Sequence, residues 1–420
     1  MNTIFEKSLK RNRILYILEA NFEFLISILV SGSFLATLTK ELGVSDGLTG
    51  ILSSIISLGC LFQLISLSIR STSVKKIVLP FSIINQVLFM LLYVIPLTGF
   101  EKQTKISLFV IMILLAYMIY NMVHPKKIDW LMSSVDEFHR GSFTANKEIV
   151  SLVSGMVFSL GMGTMIDHFS GIGKIRVAFT IAAVVMFVLM ILHSFTMIFS
   201  TEIKASNHSQ KNFKHSIIEL IKNKNVLRIT VICLLFNSST YISTPFYGTY
   251  QIGELGLNLK FITAITMCES ISRILVSRFW GSYADKKSFS KMIEKCFIFL
   301  ALAQICIIFA VPSTGKIMFI SYRLLHGIAM GGINSALVNL IFESVPKEKT
   351  ADALAITQTI AGITGFLISL AASCLVTYVQ RNGNSVFGIP IYAQQLLSLF
   401  ALIITVLSIL YTRFVLIKKK

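Results

Sequence analysis

Ionisable side chains interrupt the long apolar runs of this sequence, and they are the residues whose chemistry stands out. Glu19 and Glu23 lie four residues apart in the first run, a spacing that puts both on one face of a helix. A charge inside a membrane-spanning helix costs about 2.5–3.5 kcal/mol, so charges retained in such runs favour a functional role. Two carboxylates this close resist being ionised together, so the pair could bind a proton. The alternative is that Glu19 lies near the membrane surface and is solvated there.

A second group of charges lies in the later runs. Glu269 and Arg273 have the same four-residue spacing. They could form an ion pair that only lowers the cost of placing two charges in the membrane, or a pair that opens during a conformational cycle. Arg323 and His326 lie near one face of another run, where Arg323 could pair with a carboxylate or anchor an anionic substrate. The candidate proton-coupling residues are Glu23, Glu19, Glu269 and Arg273.

The apolar runs are the elements that must position these groups. Hydrophobic residues make up 54% of the chain, the mean hydropathy is +0.76 and 14% of residues are charged, against about a quarter in soluble proteins. A membrane-spanning helix needs roughly 20 apolar residues. Twelve segments fit, near residues 14–38, 48–69, 77–99, 106–125, 149–166, 177–199, 226–249, 259–279, 294–312, 316–342, 351–379 and 389–416. Gly327 and Gly331 in the tenth segment are typical of close helix packing.

The sequence is also duplicated. The tetrapeptide Glu-Leu-Gly-Val at 41–44 returns as Glu-Leu-Gly-Leu at 254–257, 213 residues later. The Ser-Val pair at 134–135 returns at 344–345, a shift of 210 residues. The same shift places Gly155 opposite Gly365. Long apolar halves repeated in this way are typical of secondary transporters. We therefore predict an all-α integral membrane protein with twelve transmembrane helices in two pseudo-symmetric six-helix bundles.

The domain boundaries follow from a polar linker between the sixth and seventh apolar runs. The N-terminal bundle is predicted at 1–199, a cytoplasmic linker at 200–225 and the C-terminal bundle at 226–420. Six spans per half give both halves the same orientation, so the repeat is parallel.

The formal net charge of +18 is distributed unevenly along the chain. When the basic residues near span ends are counted with the adjoining loops, 28 of the 38 lysines and arginines fall on one side of the alternating spans and 8 on the other, and Arg273 and Arg323 lie deeper inside spans. This bias is the positive-inside rule, and it predicts that both termini are cytoplasmic. The excess positive charge then meets anionic lipid headgroups, and nucleic acid is not an expected partner.

The loop between the eighth and ninth spans carries a recognisable pattern. Gly281 is followed four residues later by Asp285 and then by Lys286. This spacing resembles the loop signature of the major facilitator superfamily, and the resemblance of the chain to that family covers nearly all of its length. Arg140, ahead of the fifth span, is similar to the Arg-Gly step that the family carries after its fourth span. The equivalent loop of the first half keeps two lysines but has neither the glycine nor the aspartate.

The resemblance implies a central cavity lined by spans 1, 4, 7 and 10. The expected substrate-binding residues in those spans are Asn21, Tyr117, Tyr120, Asn121, His124, Asn237, Tyr241, Tyr247, Arg323 and Asn334. Clusters of Tyr and Asn suit neutral or zwitterionic organic solutes, although some of these residues would instead hydrogen-bond neighbouring helices. The expected gating residues are Gly281, Asp285, Lys286 and Arg140. The Asp285 carboxylate is expected near the start of span 11. Lys126 and Lys127, by contrast, are expected to extend to the membrane surface.

The predicted function is secondary active transport of a small organic solute by alternating access, coupled to protons. Neither a Gly-x-x-x-x-Gly-Lys-Ser/Thr loop nor a His-Glu-x-x-His motif occurs in the sequence, so ATP hydrolysis and metalloenzyme chemistry are not expected. We expect no enzyme activity, no cofactor and no metal. The expected partners are a small-molecule substrate, membrane lipids and a proton or sodium ion gradient, with the protein a monomer in the cell membrane. The alternatives are a non-transporting membrane sensor with this fold and, among transporters, a drug/proton antiporter.

The charge bias generates a prediction about topology. Single cysteines introduced at Lys211, predicted inside, and at Asn384, predicted outside, should differ in their reaction with an impermeant maleimide on intact cells. The label should reach only position 384 in a cysteine-free background. Labelling at position 211 in sealed cells would contradict the assignment.

Overall fold

The structure is a computed structural model that describes residues 2–59, 62, 73–135, 140–202, 223–345, 350–386 and 388–417. This part of the chain is almost entirely helical. In chain order its helices are α1 (Asn2–Leu29), α2 (Gly32–Leu42), α3 (Asp46–Leu58), α4 (Val74–Val94), α5 (Lys102–Met132), α6 (Arg140–Gly171), α7 (Ile175–Phe199), α8 (Lys224–Ser243), α9 (Leu259–Lys286), α10 (Phe289–Ile308), α11 (Gly315–Ser344), α12 (Thr350–Arg381) and α13 (Ala393–Tyr411).

Short irregular elements extend several of these helices. A 3₁₀ turn (Ile95–Leu97) follows α4, and a π-helical turn (Thr412–Ile417) follows α13. After α8 the chain passes through a 3₁₀ turn at Thr244–Phe246, one α-helical turn at Tyr247–Thr249 and a π turn at Tyr250–Glu254. A two-stranded hairpin of β1 (Ser385–Val386) and β2 (Ile389–Pro390) joins α12 to α13.

The described helices coincide with the predicted apolar spans. Eight of them are long and apolar enough to cross a membrane, and α1 with α2 makes a ninth as a pair bent by 42°. Helix α3 covers 13 residues, and most of the remainder of its predicted span lies outside the described residues. Helices α9 and α10 occupy the eighth and ninth predicted spans but carry more charge. The membrane fold is therefore as predicted, and the number twelve is consistent with it.

The first compact unit contains residues 1–44 and 59–208. In it, α1 packs against α6 and α7, while α4 packs against α5 and α7. The buried hydroxyl of Tyr93 on α4 donates a hydrogen bond to the Leu29 carbonyl oxygen at 2.7 Å, where α1 ends and Gly32 has a φ of +53°. Because Tyr93 satisfies an otherwise open helix terminus, it stabilises the bend between α1 and α2.

The second compact unit contains residues 45–58 and 209–420. Here α10 packs against α11 and α13, α9 against α11, and α8 against α12 and α13. Helix α3 belongs to this unit although it lies in the first half of the sequence. It packs against α12 through Gly47, where an added Cβ would lie 2.7 Å from the Thr377 hydroxyl.

The duplicated tetrapeptides form the same helix terminus in both halves. Gly43 has a φ of +67° and Gly256 a φ of +61°, the left-handed conformation that glycine adopts most easily. The amide N–H that follows each glycine bonds back into the preceding turn, from Val44 to the Thr39 oxygen at 2.9 Å and from Leu257 to the Gln251 oxygen at 2.8 Å. The repeat thus preserves a C-terminal helix cap.

Other repeated residues also have matching contacts. The Ser134 hydroxyl donates to the Leu131 oxygen at 2.7 Å, and the Ser344 hydroxyl donates to the Ile341 oxygen at 2.8 Å, so each serine caps a helix end. An added Cβ at Gly155 would lie 2.5 Å from the Phe24 ring, and one at Gly365 would lie 2.6 Å from the Tyr241 ring. In both units, therefore, a glycine on the fifth span of the half lets an aromatic ring of the first span approach closely.

Glu202 closes one end of the first unit. Its carboxylate accepts hydrogen bonds from the Ser73 hydroxyl at 2.5 Å and the Val74 N–H at 2.7 Å, at the start of α4. In return, the Lys75 ammonium donates to the oxygens of Ile198 and Ser200, at 2.6 and 2.8 Å, at the end of α7. Each charge complements the helix terminus it contacts.

The contacts of Glu202 lower the pKa of its carboxyl group. Partial burial raises the pKa, but the hydrogen bonds from Ser73, Val74 and Lys75 outweigh burial and hold the pKa below its ordinary value. A depressed folded-state pKa means that the charged carboxylate stabilises the fold.

We predict that Glu202→Gln lowers the thermal stability of the purified protein at pH 7. Since Glu202 is largely solvated, the loss should be about 0.5–1 kcal/mol. The stabilisation should be complete above the unfolded-state pKa of about 4.3 and should vanish as the pH falls through the lower folded-state pKa. Thermal unfolding from pH 7 to pH 3 checks this, with Glu101→Gln on an exposed loop as the control. A difference that persists unchanged at pH 3 would contradict the cap.

Candidate functional site

A buried cluster of charges lies inside the first unit. The Lys127 ammonium contacts the Glu19 carboxylate at 2.7 Å and also contacts the Glu23 carboxylate. His193 Nε2 lies 3.0 Å from the same oxygen of Glu19. The side chains of Lys127, Glu19 and His193 are at most 3% exposed, while Glu23 keeps 18% of its surface. Three helices, α1, α5 and α7, thus bring four ionisable groups into one contact network.

The helical geometry explains why these groups meet. Glu19 and Glu23 lie one turn apart on α1, so both can reach one ammonium on α5. Lys127 supplies three donors, enough for two carboxylates. His193 Nδ1 has no hydrogen-bond partner among the described residues.

The direct contacts leave an imbalance of charge. Two carboxylates face one ammonium, so with a neutral His193 the contact network carries one negative charge. Lys147 lies farther out, with its ammonium over the Tyr16 ring at 4.8 Å from the centroid. The network can therefore accept one further positive charge, such as a proton, more easily than it can lose Lys127.

The same residues also have the spacing of metal ligands. One ligand atom each from Glu19, Glu23 and His193 lies within 4.8 Å of the others. However, the Lys127 ammonium already contacts both carboxylates. A lysine side chain therefore provides the positive charge that a metal ion would otherwise bring.

Two expectations about this region are corrected, and the structure identifies a charge partner for Glu23. Lys127 does not extend to the membrane surface, because its side chain is 3% exposed and held by two carboxylates. Glu19 is not a solvated surface residue, since its side chain is 1% exposed. The charge partner of Glu23 is Lys127 in its own unit. The spacing of the sequence already places Lys127 on one helix face with two predicted substrate-binding residues, because it follows Tyr120 by seven residues and His124 by three. That spacing could have identified Lys127 as an inward-facing residue.

A second cluster of charges lies inside the second unit. Glu269 on α9 accepts from Arg323 Nη1 at 2.6 Å through one oxygen and contacts His326 Nδ1 at 2.7 Å through the other. Arg273 has interactions of its own. Both direct contacts of the Glu269 carboxylate are therefore to the neighbouring helix α11.

Glycine explains the close approach of α9 and α11. A Cβ added at Gly327 would lie 2.5 Å from the Glu269 carbonyl oxygen, and one at Gly331 would lie 2.7 Å from the Val276 side chain. Both glycines thus pack against the α9 backbone or its neighbours, as their spacing predicts. The resulting separation is short enough for Arg323 and His326 to reach one carboxylate.

Four of the residues predicted to bind substrate are buried in helix contacts. Asn21 accepts a hydrogen bond from Ser154, and Asn121 donates to the Tyr117 oxygen at 2.9 Å. The Tyr117 ring packs edge-on to Phe89 at 5.1 Å. The Tyr247 hydroxyl lies 2.8 Å from that of Ser398. These four side chains are at most 9% exposed, which favours the helix-packing alternative for them.

The other predicted residues keep exposed surface. Tyr120 and His124 are half-buried and their rings lie 4.6 Å apart, close to the Lys127 network. Asn237 and Tyr241 are half-buried on α8, and Asn334 is exposed on α11. These five side chains can contact a solute without breaking a buried helix contact.

The predicted gating residues lie at helix ends. Gly281, Asp285 and Lys286 are exposed near the end of α9. The side chain of Arg140 and those expected to receive Asp285, at 350–352, lie outside the described side chains. The gating role of these residues stays a prediction.

The Lys127 network generates a stability prediction. Lys127→Ala removes the ammonium from two buried carboxylates and should cost about 3–5 kcal/mol, enough to abolish recovery of a monodisperse protein. Adding Glu19→Gln and Glu23→Gln to Lys127→Ala should restore recovery, because no buried charge is then left unpaired. Size-exclusion chromatography in detergent measures this, with the exposed Lys76→Ala as the control. Normal recovery of Lys127→Ala alone would show that the carboxylates do not need the lysine.

Comparisons with known proteins bear on the fold and family. The sequence profile of the Major Facilitator Superfamily matches residues 20–369. No curated protein sequence matches the chain. Solved structures with the same fold include a point mutant of the nucleoside transporter NupG, at a TM-score of 0.75 and 12% identity over 96% of this chain and 99% of that one.

Two further structures show the same likeness. The POT family transporter PepTSo gives a TM-score of 0.70 at 11% identity, covering 97% of this chain and 98% of that one. A bacterial homologue of the human lysosomal transporter Spinster gives 0.68 at 11% identity, covering 97% and 96%. Identities this low establish the shared fold and no more. The profile match covers most of the sequence, including the second charge cluster and all of the first except Glu19, and the chain therefore belongs to the Major Facilitator Superfamily.

Proposed function

We propose that this transporter moves a small organic solute by alternating access and couples that movement to protons. The observation that carries the coupling is the Lys127 network, in which two carboxylates share one lysine and leave one negative charge. A buried site with that balance binds one proton at low energetic cost and releases it where water enters.

Glu23 is the proposed proton acceptor within the network. It keeps 18% of its surface exposed, whereas Glu19 is 1% exposed and bound by both Lys127 and His193. A proton on Glu23 removes one of the two contacts that hold Lys127. Lys127 remains bound to Glu19, so protonation loosens the network without leaving a buried charge unpaired.

The solute is proposed to contact the half-exposed aromatic side chains of the first unit. Tyr120 and His124 lie next to the proton network, so a solute bound there would sense whether Lys127 is held by one carboxylate or two. Their aromatic faces suit an organic molecule with a flat group.

The membrane setting belongs to the same proposal. The protein is proposed to be a monomer in the cell membrane with both termini in the cytoplasm, in line with the unequal distribution of its basic residues. A proton gradient supplies about 2.3 kcal/mol per charge for each 100 mV of membrane potential. No ATP-hydrolysing partner is then required.

The proposal predicts that Glu23→Gln uncouples transport. In proteoliposomes, the variant should exchange solute down its gradient at a rate near that of the wild type, but should not accumulate solute when a pH gradient is imposed. The solute is the strongest stabiliser found in a thermal-shift screen of the purified protein. Glutamine preserves the size of the side chain and binds no proton, so the loss isolates the protonation step.

Controls separate this outcome from a general defect. The exposed Glu101→Gln should transport like the wild type. Accumulation of solute by Glu23→Gln under a pH gradient would rule out Glu23 as the proton site. Accumulation driven by a sodium gradient would show that sodium, and not the proton, is the coupling ion. Absence of any solute movement in the wild-type protein would favour a sensor.

A further inference from the structure

The second charge cluster has the features of a binding site for a carboxylate. Glu269 presents its two oxygens to two different donors, Arg323 Nη1 at 2.6 Å and His326 Nδ1 at 2.7 Å. A carboxylate held through both oxygens by an arginine and a second donor has the geometry with which proteins recognise free carboxylates. Glu269 thus occupies a pair of donors that an external carboxylate could equally use.

Arg323 also has hydrogen-bonding capacity that the protein does not use. A guanidinium carries five N–H donors. The Nε–H of Arg323 is buried and has no acceptor among the described residues. A buried donor left unpaired costs free energy, and such donors in native structures point to a ligand or an exchange of partners.

The position of the cluster gives it access to a solute. Arg323 lies eight residues into α11 and Glu269 ten residues into α9, which places both about 12–15 Å along their helices and near the middle of a membrane. Their side chains and that of His326 remain 14–19% exposed. Charged groups with exposed surface at this depth line aqueous space, because contact with lipid would be too costly.

Aromatic surface adjoins the charges. The Tyr322 ring stacks on the His326 ring at 5.2 Å and lies 5.7 Å from the Arg323 guanidinium carbon. Tyr247 packs edge-on to Tyr322 at 5.3 Å and fixes its orientation. The donors are therefore held rigidly, which suits recognition of one functional group.

We propose that Arg323 and His326 bind the carboxylate of an organic anion in exchange for Glu269, so that the transported solutes are organic carboxylates. That these carboxylates are transported rests on the proposed function, whereas their binding to Arg323 and His326 does not depend on it. When the solute binds, the Glu269 carboxylate releases its hydrogen bonds to Arg323 and His326. When the solute leaves, Glu269 forms them again, so that the two donors are not left without an acceptor.

The test compares carboxylates with neutral molecules of the same shape. Purified protein is titrated with benzoate, phenylacetate and hexanoate, and with benzamide, phenylacetamide and hexanamide, and thermal unfolding is followed. At least one carboxylate should stabilise the wild type while its amide does not. The glutamine oxygen in Glu269→Gln still accepts a hydrogen bond from Arg323, but it carries no charge. This variant should bind the carboxylate at least tenfold more tightly, because the charged internal competitor is removed. A purely structural ion pair would give no such gain.

Two further variants complete the design. The double variant Arg323→Gln with Glu269→Gln leaves no unpaired buried charge and should not bind the carboxylate. Arg278→Gln, an exposed arginine on the same helix as Glu269, should bind like the wild type. The proposal is wrong if no carboxylate exceeds its amide, if the double variant still binds, or if Glu269→Gln binds no more tightly than the wild type.

Transport of the bound probe separates this inference from the proposed function. Uptake of the radiolabelled carboxylate into proteoliposomes under a pH gradient would support both. Carboxylate binding without any uptake would leave the inference standing and overturn the proposed function. Proton-driven uptake of a neutral solute, with no carboxylate binding, would overturn the inference alone.

Discussion

The cost of placing a charge in hydrocarbon is the constraint on which this structure depends. Glu19, Lys127, Glu269 and Arg323 all lie within long apolar helices, and each contacts an opposite charge within its own unit. A buried charge that loses its partner costs several kcal/mol, so every such group is tied to a group on another helix. The helices are consequently positioned by their charges as well as by their apolar surfaces. These are the pairs for which we propose an exchange of partners with a proton or an anion.

Close helix packing makes these pairs possible. Without the hydrophobic effect between helices in a membrane, contact depends on how closely the backbones approach. Gly327 lets α11 approach the Glu269 carbonyl, and this approach brings Arg323 and His326 to the Glu269 carboxylate. A substitution at Gly327 would therefore act on the charge cluster although glycine carries no chemistry itself.

Sequence reasoning predicted the fold better than the sites, for a physical reason. Apolar run length fixes where helices form, and repeated short motifs fix their ends, as Gly43 and Gly256 illustrate. Periodicity also placed Glu19 and Glu23 on one face. It could not identify their partner, because the face of a helix does not reveal which helix it meets. Lys127 was accordingly assigned to the membrane surface, and His193 was overlooked in an apolar run.

Residues that pack helices recur in both halves of the duplicated sequence, whereas the charged residues do not. Packing residues recur at the 210-residue shift, with Gly155 matched by Gly365 and Ser134 by Ser344. The charged residues do not recur. The 210-residue shift of the helix-end serines places Lys127 opposite Leu337 and Arg323 opposite Ile113. The 213-residue shift of the tetrapeptides places Glu23 opposite Phe236 and Glu269 opposite Ile56. Selection on a shared fold would keep the first set alike, and two different tasks would let the second set diverge. In the first unit two carboxylates contact one lysine directly, whereas the Glu269–Arg323 pair of the second unit is balanced and has a spare donor. A solute anion and a proton entering at separate sites would together add no net charge to the interior of the protein, which lowers the electrostatic cost of carrying both across the membrane.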